Sequence, residues 1–442
     1  MLKVITYGTF DHLHYGHIRL LERAKCLGDY LIVGVTSDDF DRRRGKINVS
    51  QSLMERIEAV KELGIADQII VEEYEGQKID DIKRYEIDVF TVGSDWDGYF
   101  DYLKEYCTVK YLERTEGVSS TEIRSKKKYI HVGIVGSDPY LKKFYSESSF
   151  VNGLEISAIF IDDDTDVFDS EKRIRVFSDY ESMLEEVDAV YIHSYPDRHY
   201  QLIKTAIIKG KHVLCEAPIT INKEQYTDLQ KRARKAGCIL MDSIRTAFST
   251  AYERLLLLLK SGMIGDIKHI DATCTSLKNY DESENNWNSI CAWGPNAMLP
   301  VFQILGTHYR TRHMVCKISD NDEFYDYFTK IDFIYNNAVA SIKVGQGVKS
   351  EGEMIVSGTK GYVYVPAPWW KTDYFEVRFE NQENNRRYFY QLEGEGIRYE
   401  LVAFRNNILS NKKYNYIDPS ISLEFISVIQ DFYDKKDVLY ID

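Results

Sequence analysis

The strongest constraint on the fold is an alternation of apolar strand patterns with amphipathic helix patterns that begins at the first residues. KVITYG (3–8) is typical of a short buried strand, and HIRLLERAKCLG (17–28) of an amphipathic helix that ends at a glycine. YLIVGVTSDD (30–39) and SLMERIEAVKELG (52–64) repeat this pair. Repeated strand–helix units favour a parallel, doubly wound sheet, so we predict an α/β fold.

A second series of the same kind begins near residue 130. IHVGIVGSD (130–138), DAVYIHSYPD (188–197) and KHVLCEAP (211–218) are strand patterns, each followed by helix-like residues. Beyond about residue 250 the character changes to alternating strand patterns separated by turn residues. This part of the chain predicts a largely antiparallel open sheet in an α+β domain.

The domain organisation follows from length and from this change of pattern. A chain of 442 residues is too long for one ordinary core. We predict three domains, 1–128, 129–250 and 251–442, with the basic stretch STEIRSKKKY (120–129) linking the first two. The second domain is expected to be of the dinucleotide-binding Rossmann type.

Charge and cysteine usage exclude several classes of protein. A net charge of −13 argues against a general nucleic-acid binder, although a local basic pocket for a phosphorylated small molecule is compatible with it. Seven cysteines, an odd number with no Cys-x-x-Cys pair, indicate reduced thiols. No signal peptide and no apolar run of membrane-spanning length is evident. We therefore expect a cytoplasmic protein with neither a membrane nor a nucleic acid among its partners.

Two histidines flank a Tyr-Gly pair where the first strand pattern changes into the first helix pattern. His14 and His17 are three residues apart, so both rings can project to one side of a helix start. Unpaired N–H groups and the helix dipole favour an anion there, Gly16 helps to open the helix, and Gly8 lets a phosphate approach the backbone. The pattern predicts a polyphosphate site. The alternative is a pair of surface or hydrogen-bonded core histidines.

The same residues carry a resemblance to a known family. GTFDHLHYGH (8–17) resembles the His-x-Gly-His signature of the cytidylyltransferase branch of the nucleotidyltransferase superfamily. RTEGVSST (114–121) is similar to the Arg-Thr-Glu-Gly-Ile-Ser-Thr-Thr stretch of glycerol-3-phosphate cytidylyltransferases, and VGSDWDGYFDYLK (92–104) resembles their segment before the last strand. The match runs from residue 1 to about 126, which implies a Rossmann-like nucleotidyltransferase domain.

This resemblance implies a reaction and the residues that carry it. CTP, with Mg²⁺, would bind over the histidine loop, and the phosphate of a phosphorylated alcohol would attack the α-phosphorus without a covalent enzyme intermediate. Residues implied in catalysis are His14, His17, Lys46 and Arg114. Residues implied in binding the nucleotide are Gly8, Thr9, Phe10, Asp11, Gly16, Asp95, Thr115, Ser119, Ser120 and Thr121. Residues implied in binding the acceptor phosphate are Arg44, Lys46 and Arg56.

The acceptor is left open by one departure from the family. Glycerol-3-phosphate enzymes carry an arginine where this chain has Gly64, so the acceptor is glycerol phosphate or a related sugar-alcohol phosphate. The basic run that contains Lys46 has a solvated surface as its alternative explanation. The predicted product is a CDP-linked alcohol for a surface polymer of the teichoic-acid or capsule type. Like both families it resembles, the chain is expected to form a homodimer.

The second half resembles another family. VYIHSYPDRHYQLIKTAIIKGKHVLCEAP (190–218) is similar to the glucose–fructose oxidoreductase and inositol dehydrogenase family, and the resemblance extends from 129 to about 435. That family implies NAD(P) and a catalytic lysine. Here Asp138 replaces the second glycine of the dinucleotide loop that starts at Gly136, and Ala217 replaces the lysine.

A third departure and several remaining polar residues leave two interpretations. Ala292 and Asn296 align where the family has an aspartate and a histidine or tyrosine. We predict an oxidoreductase fold retained for binding, dimerisation or substrate handling, with NAD(P) doubtful. The alternative is a bifunctional chain whose second half makes the polyol phosphate from a keto-phosphate. Candidates for such chemistry are Asp162 at the adenosine ribose, His193, His199, Arg245 and His308.

Overall fold

The computed structural model describes most of the chain. The described residues are 1–43, 49, 51, 53–74, 76–113, 129–161, 174–277, 288–320, 324–390, 392–409 and 416–441, with the side chains of residues 42 and 43 left out. The chain divides into two compact units, Met1–Tyr129 and Ile130–Asp442. The α/β fold class is confirmed. The three-domain division stays a prediction.

The first unit is built on a five-stranded parallel sheet in the order β3-β2-β1-β4-β5. Its strands are β1 (Lys3–Gly8), β2 (Tyr30–Thr36), β3 (Gln68–Glu72), β4 (Val89–Gly93) and β5 (Thr108–Leu112). Its helices are α1 (Tyr15–Lys25), α2 (Asp38–Arg43), α3 (Leu53–Glu62) and α4 (Gln77–Tyr85).

Alternate residues of these strands enter two separate hydrophobic cores, one on each face of the sheet. Val4 and Val33 pack with Leu21 of α1 on one face. Ile5 and Phe90 pack with other apolar side chains on the opposite face. Burial on both faces explains why the strands are continuous apolar runs in the sequence.

The strand order puts the first strand–helix turn at a topological switch point. β1 is paired with β2 on one side and with β4 on the other, so the chain leaves β1 where the order of the sheet reverses. In open parallel sheets the crevice at the carboxyl ends of the strands beside this point binds the ligand. The turn of residues 9–14 therefore lies where a binding site is expected.

The second unit contains two sheets. The first is six-stranded and parallel, in the order β11-β10-β9-β6-β7-β8. Its strands are β6 (Ile130–Val135), β7 (Leu154–Phe160), β8 (Arg175–Phe177), β9 (Ala189–Ile192), β10 (His212–Glu216) and β11 (Leu240–Ser243). The helices of this part are α5 (Tyr140–Ser148), α6 (Tyr180–Glu185), α7 (Pro196–Ile208), α8 (Lys223–Ala236) and α9 (Thr250–Lys260).

The second sheet has nine strands in the order β19-β18-β17-β16-β12-β15-β14-β13-β20. Its strands are β12 (Ile267–Ser276), β13 (Thr311–Ile318), β14 (Asp326–Ile334), β15 (Val339–Gln346), β16 (Met354–Gly358), β17 (Gly361–Val365), β18 (Tyr374–Phe379), β19 (Arg386–Phe389) and β20 (Val438–Tyr440). The remaining helices are α10 (Ser289–Leu305), α11 (Ile397–Leu409) and α12 (Pro419–Tyr433). The sheet is mixed, because β12 pairs with β15, and β13 with β20, in parallel.

Helix α10 explains one of these parallel pairs. It is apolar on almost every side and packs against β12, β14, β15 and α12. The chain leaves β12 and crosses the sheet through this buried helix before the later strands begin, which allows β15 to lie parallel to β12. None of the helices in the described segments is long and apolar enough to cross a membrane. No disulfide joins the seven cysteines, all of which lie in described segments.

Candidate nucleotide site

The first strand–helix turn is closed by a histidine that caps the following helix. His14 has an extended backbone, and its Nδ1 accepts the backbone N–H of Gly16 at 3.1 Å. Its carbonyl oxygen accepts the N–H of Ile18 at 3.0 Å, the first turn of α1. Because Nδ1 is the acceptor here, the proton of a neutral His14 lies on Nε2.

The second histidine of the motif stacks on the first. The rings of His14 and His17 have centroids 3.8 Å apart and an interplanar angle of 23°. The Phe10 ring, which is almost fully buried, contacts the His17 ring edge-on, with centroids 5.5 Å apart. The structure therefore brings the two imidazoles together at the start of α1, where backbone N–H groups point out of the helix.

The backbone of the turn is shaped by two residues in the left-handed region. Phe10 and His12 have φ of 54° and 45°. A Cβ at Gly8 would lie 2.9 Å from the ring of Phe10. Glycine at position 8 therefore avoids a close contact with the Phe10 ring, a reason that differs from the expected approach of a phosphate.

Asp11 and Thr9 tie the turn to the rest of the unit. Asp11 Oδ1 accepts the N–H of Gln51 at 3.0 Å, and the Gln51 side chain accepts the N–H of His12 at 2.6 Å. The hydroxyl of Thr9 donates to Asp41 at 2.9 Å. Asp95 is exposed in a short 3₁₀ helix (Ser94–Trp96) that follows β4, so it lies at the same edge of the sheet as the turn.

Arg56 is not a surface cation in the structure. Its side chain is fully buried. Its guanidinium donates to the carbonyl oxygens of Thr9 at 2.7 Å, Thr36 at 2.8 Å and Gln51 at 3.1 Å, and it pairs with Asp38. These contacts engage the guanidinium inside the protein, and a direct contact of Arg56 with the acceptor phosphate stays a prediction. They favour Arg56 as a residue that positions the turn.

The remaining predicted residues fall outside the part of the chain that the structure describes, and their roles stay predictions. In the first unit these residues are Arg44, Lys46, Arg114, Thr115, Ser119, Ser120 and Thr121.

The first unit is similar to known proteins over almost its whole length. Residues 5–126 match the family model described as cytidylyltransferase-like. The glycerol-3-phosphate cytidylyltransferase of Bacillus spizizenii (strain W23) is 51% identical over 124 residues, which cover 28% of this chain and 95% of that protein. The protein of the same name from Bacillus subtilis (strain 168) is 49% identical over 126 residues, 28% of this chain and 97% of that protein. The chain belongs to the cytidylyltransferase-like family.

One buried cluster of this cytidylyltransferase-like unit was missed by the sequence analysis. Glu72, the last residue of β3, is almost fully buried, accepts the hydroxyl of Thr36 at 2.9 Å and pairs with Lys78 of α4. The Lys78 ammonium lies 4.7 Å from the ring centroid of Tyr7. Burial, and then the charge of Asp81, raise the pKa of Tyr7. The sequence signal for this cluster is a glutamate at the end of an apolar strand pattern, Glu72 in β3.

The second unit matches a different family. Residues 130–243 match the model described as an oxidoreductase family with an NAD-binding Rossmann fold. The 3-ketoreductase KijD10 from Actinomadura kijaniata, solved with NADP and TDP-benzene, aligns with 71% of this chain and 100% of its own at a TM-score of 0.62 and 17% identity. At that identity the likeness shows the fold. The resemblances of both units are confirmed.

Two of the histidine candidates in the second unit have different surroundings. His199 is fully buried between the carbonyl oxygens of Pro218 at 3.0 Å and Ser194 at 2.8 Å, and burial lowers its pKa to about 4. These contacts favour a structural role. His193 lies at the carboxyl end of β9 between two carboxylates.

Arg245 and Asn296 make contacts within the unit. The Arg245 guanidinium lies 4.9 Å from the ring centroid of Tyr140. The hydroxyl of Thr246 donates to Asn296 at 3.3 Å. His308 lies in the turn between α10 and β13, and Asp162 falls outside the described residues.

Proposed function

We propose that the first unit transfers the cytidylyl group of CTP to the phosphate of a small phosphorylated alcohol and releases pyrophosphate. The acceptor is glycerol phosphate or a related sugar-alcohol phosphate. The observation that carries the proposal is the stacked pair of His14 and His17 at the start of α1, in a unit that is about half identical to glycerol-3-phosphate cytidylyltransferases over nearly their whole length.

The proposed reaction is a single displacement at phosphorus. An oxygen of the acceptor phosphate attacks the α-phosphorus of CTP and forms a new P–O bond. The bond from the α-phosphorus to the oxygen that bridges to the β-phosphorus breaks, and pyrophosphate leaves with the electron pair. The protein contributes positioning and stabilisation of the charge on the equatorial and leaving oxygens.

The cap geometry gives His14 a defined role in this step. Its Nδ1 holds the N–H of Gly16, so its Nε2–H is the donor that can meet a triphosphate oxygen. His17, stacked on it, supplies a second imidazole to the same phosphates. The dipole of α1 adds a fixed partial positive charge at the start of the helix.

Mg²⁺ is proposed to enter with the nucleotide. Among the residues that the structure describes, no group of three or more histidine, cysteine, aspartate or glutamate side chains could hold a metal ion. A Mg²⁺ bound mainly by triphosphate oxygens and water fits such a site, since this ion keeps several waters and few protein ligands. Asp11 and Asp95 are the carboxylates that would orient it or its water.

The proposal extends to the biological setting. We propose that the CDP-linked product serves surface-polymer assembly of the teichoic-acid or capsule type, and that the chain acts in the cytoplasm as a homodimer.

The proposal is tested by an acceptor screen. Purified full-length protein is incubated with CTP, Mg²⁺ and glycerol, ribitol and related polyol phosphates, and released pyrophosphate is measured. We expect release that depends on CTP and on one acceptor of the panel. No release with any of them would contradict the proposal.

A His17→Ala variant tests the role of the stacked pair. We expect it to lose at least about 100-fold in kcat, as removal of one donor to a developing oxyanion does, while the unfolding midpoint stays near that of the native protein. The matched control is His131→Ala, in β6 of the second unit, which should retain full activity. Equal activity in native protein and His17→Ala would contradict the assignment.

A second candidate function is reduction of a keto-phosphate by the second unit. The observation that favours it is the match of residues 130–243 to the NAD-binding oxidoreductase family. This reduction requires that the turn after β6 accept a dinucleotide.

A further inference from the structure

The turn after β6 keeps the first glycine of a dinucleotide-binding fold. Gly136 has a φ of 137°, and a Cβ there would lie 2.1 Å from the carbonyl oxygen of His193. The close approach of this turn to the end of β9 therefore depends on glycine. This part of the family's geometry is intact.

The second and third glycine positions are filled by side chains. Asp138 stands where the second glycine would let the backbone approach a pyrophosphate, and Leu141, fully buried, stands at the third position. A Cβ at Gly136 would lie 3.4 Å from Leu141, so the leucine side chain packs directly against the turn. Two of the three features that admit a dinucleotide are thus replaced.

Asp138 does more than occupy space. Its Oδ1 accepts the backbone N–H of Tyr140, the first residue of α5, at 2.7 Å. In dinucleotide-binding folds the pyrophosphate lies at the start of this helix and accepts its N–H groups. The carboxylate of the chain itself therefore uses a donor that the pyrophosphate would need.

A partly buried histidine lies between this carboxylate and a second one. His193 Nε2 is 3.7 Å from Asp138 Oδ2, and its Nδ1 is 3.5 Å from Glu216 Oε1. Burial alone would lower the pKa of His193, but the two carboxylates outweigh it and raise the pKa to about 9. At neutral pH the three groups alternate negative, positive and negative, and the ring of Tyr140 covers His193 with centroids 5.3 Å apart.

Glu216, the second carboxylate beside His193, lies where the family has its catalytic residues, and its surroundings differ from theirs. Glu216 accepts the hydroxyl of Tyr191 and lies next to Ala217, which takes the place of the family's lysine. A methyl group has no proton to exchange with a substrate carbonyl. The Glu216 carboxylate thus contacts Tyr191 and His193 of the same unit.

We propose that Asp138 fills the pyrophosphate position of the second unit, so that this unit does not take up NAD(P) as its fold relatives do. Asp138 is held by the start of α5 and by His193. The chain then has one catalytic unit, and the oxidoreductase fold is retained without its cofactor.

The experiment is a fluorescence titration of the full-length protein with NADPH and, separately, NADH. The native protein is compared with Asp138→Gly, which removes the carboxylate and restores the second glycine. We expect no saturable binding to the native protein and an affinity at least tenfold higher in the variant. The control is Asp179→Gly, which removes a carboxylate that accepts a backbone N–H at the start of another helix, α6. This control should not gain binding.

Each outcome bears on the proposal. Native binding with a Kd below about 10 µM would overturn it. Failure of both native protein and Asp138→Gly to bind, or equal gains in both glycine variants, would overturn the role given to Asp138. Circular dichroism and urea unfolding, measured on the same samples beside CTP-dependent pyrophosphate release, report that the variants are folded. Because NADPH binding is read independently of that release, failure of the proposed transferase activity remains distinguishable.

Discussion

The buried arginine under the nucleotide loop offers the sharpest test of how the loop is held. Replacing Arg56 by methionine keeps an unbranched apolar chain of similar length and removes the guanidinium. Three backbone carbonyl oxygens, those of Thr9, Thr36 and Gln51, lose a charged donor. Asp41, buried and 3.8 Å from the guanidinium, loses this ion pair.

The cost can be bounded from these contacts. Hydrogen bonds to charged groups contribute about 1.5–3 kcal/mol each, but bonds that share one group are not additive. Removing one partner of a buried ion pair typically costs about 3–5 kcal/mol. The pair with Asp38 adds little, since the Asp38 side chain is 40% exposed. We therefore expect the first unit to lose roughly 3–5 kcal/mol of its free energy of unfolding.

The effect on catalysis separates a positioning role from a binding role. If Arg56 positions the turn, loss of the Thr9 contact displaces the capping histidine, so kcat falls by about 100-fold while the KM for the acceptor changes little. Arg56→Lys keeps the charge but not the fork of donors, and should recover only part of kcat. The assay is steady-state kinetics with CTP and acceptor varied in turn, beside urea unfolding.

A matched control and a refuting result complete this test. Arg84→Met removes an exposed arginine of α4 and should change stability by less than about 0.5 kcal/mol. An Arg56→Met protein with native stability, native kcat and a raised KM for the acceptor alone would refute the positioning role. That result would restore Arg56 as a phosphate-binding residue.

Two further perturbations concern buried charge. Lys78→Met removes the cation that pairs with the buried Glu72, and it should lower the urea midpoint of the first unit by the equivalent of about 3–5 kcal/mol. The double variant that also carries Glu72→Gln should recover much of this loss. Equal midpoints for the native protein and Lys78→Met would contradict the expectation. In the second unit, burial and then the charge of Glu216 raise the pKa of Glu400 from 4.5 to about 8, and the pKa of His193 is raised to about 9. Both folded-state pKa values lie above the unfolded ones, so each contribution to stability is complete below the unfolded pKa, 4.5 for Glu400 and 6.5 for His193, and is lost as pH rises from there to the folded pKa. We expect the second unit to lose a few kcal/mol between pH 6.5 and 9.5 and Glu400→Gln to flatten this profile; an unchanged urea midpoint over that range would contradict it.

Local sequence patterns predicted the strand–helix alternation of both units because each element buries its own apolar residues. The pairing of strands is a different matter, since it depends on contacts between distant segments. The parallel pairing of β12 with β15 is an example: both strands alternate as antiparallel strands do, and their direction is set by the buried helix α10 between them.

In the candidate site, too, the features set by local sequence could be predicted, and those set by tertiary contacts could not. The spacing of His14 and His17 was enough to predict that they project together, because three residues bring side chains to one face of a helix start. The burial of Arg56 could not be read from its helix, where its neighbours Glu55 and Glu58 are exposed. An arginine in such a pattern is expected in solvent, and only the tertiary contacts reveal three carbonyl oxygens around it.

Both units place a side chain against the backbone N–H groups at the start of the helix that follows the first strand, but the two side chains differ in charge. In each, a side chain ahead of the helix that follows the first strand accepts the N–H two residues further on, His14 from Gly16 and Asp138 from Tyr140. The neutral imidazole makes this contact without a negative charge and carries its proton on the other ring nitrogen. The carboxylate makes it with a full negative charge and has no donor, so it repels a phosphate at the position where the helix start would attract one. In the two proposals made above, the identity of one residue at this position distinguishes the turn that takes a nucleotide from the turn that does not.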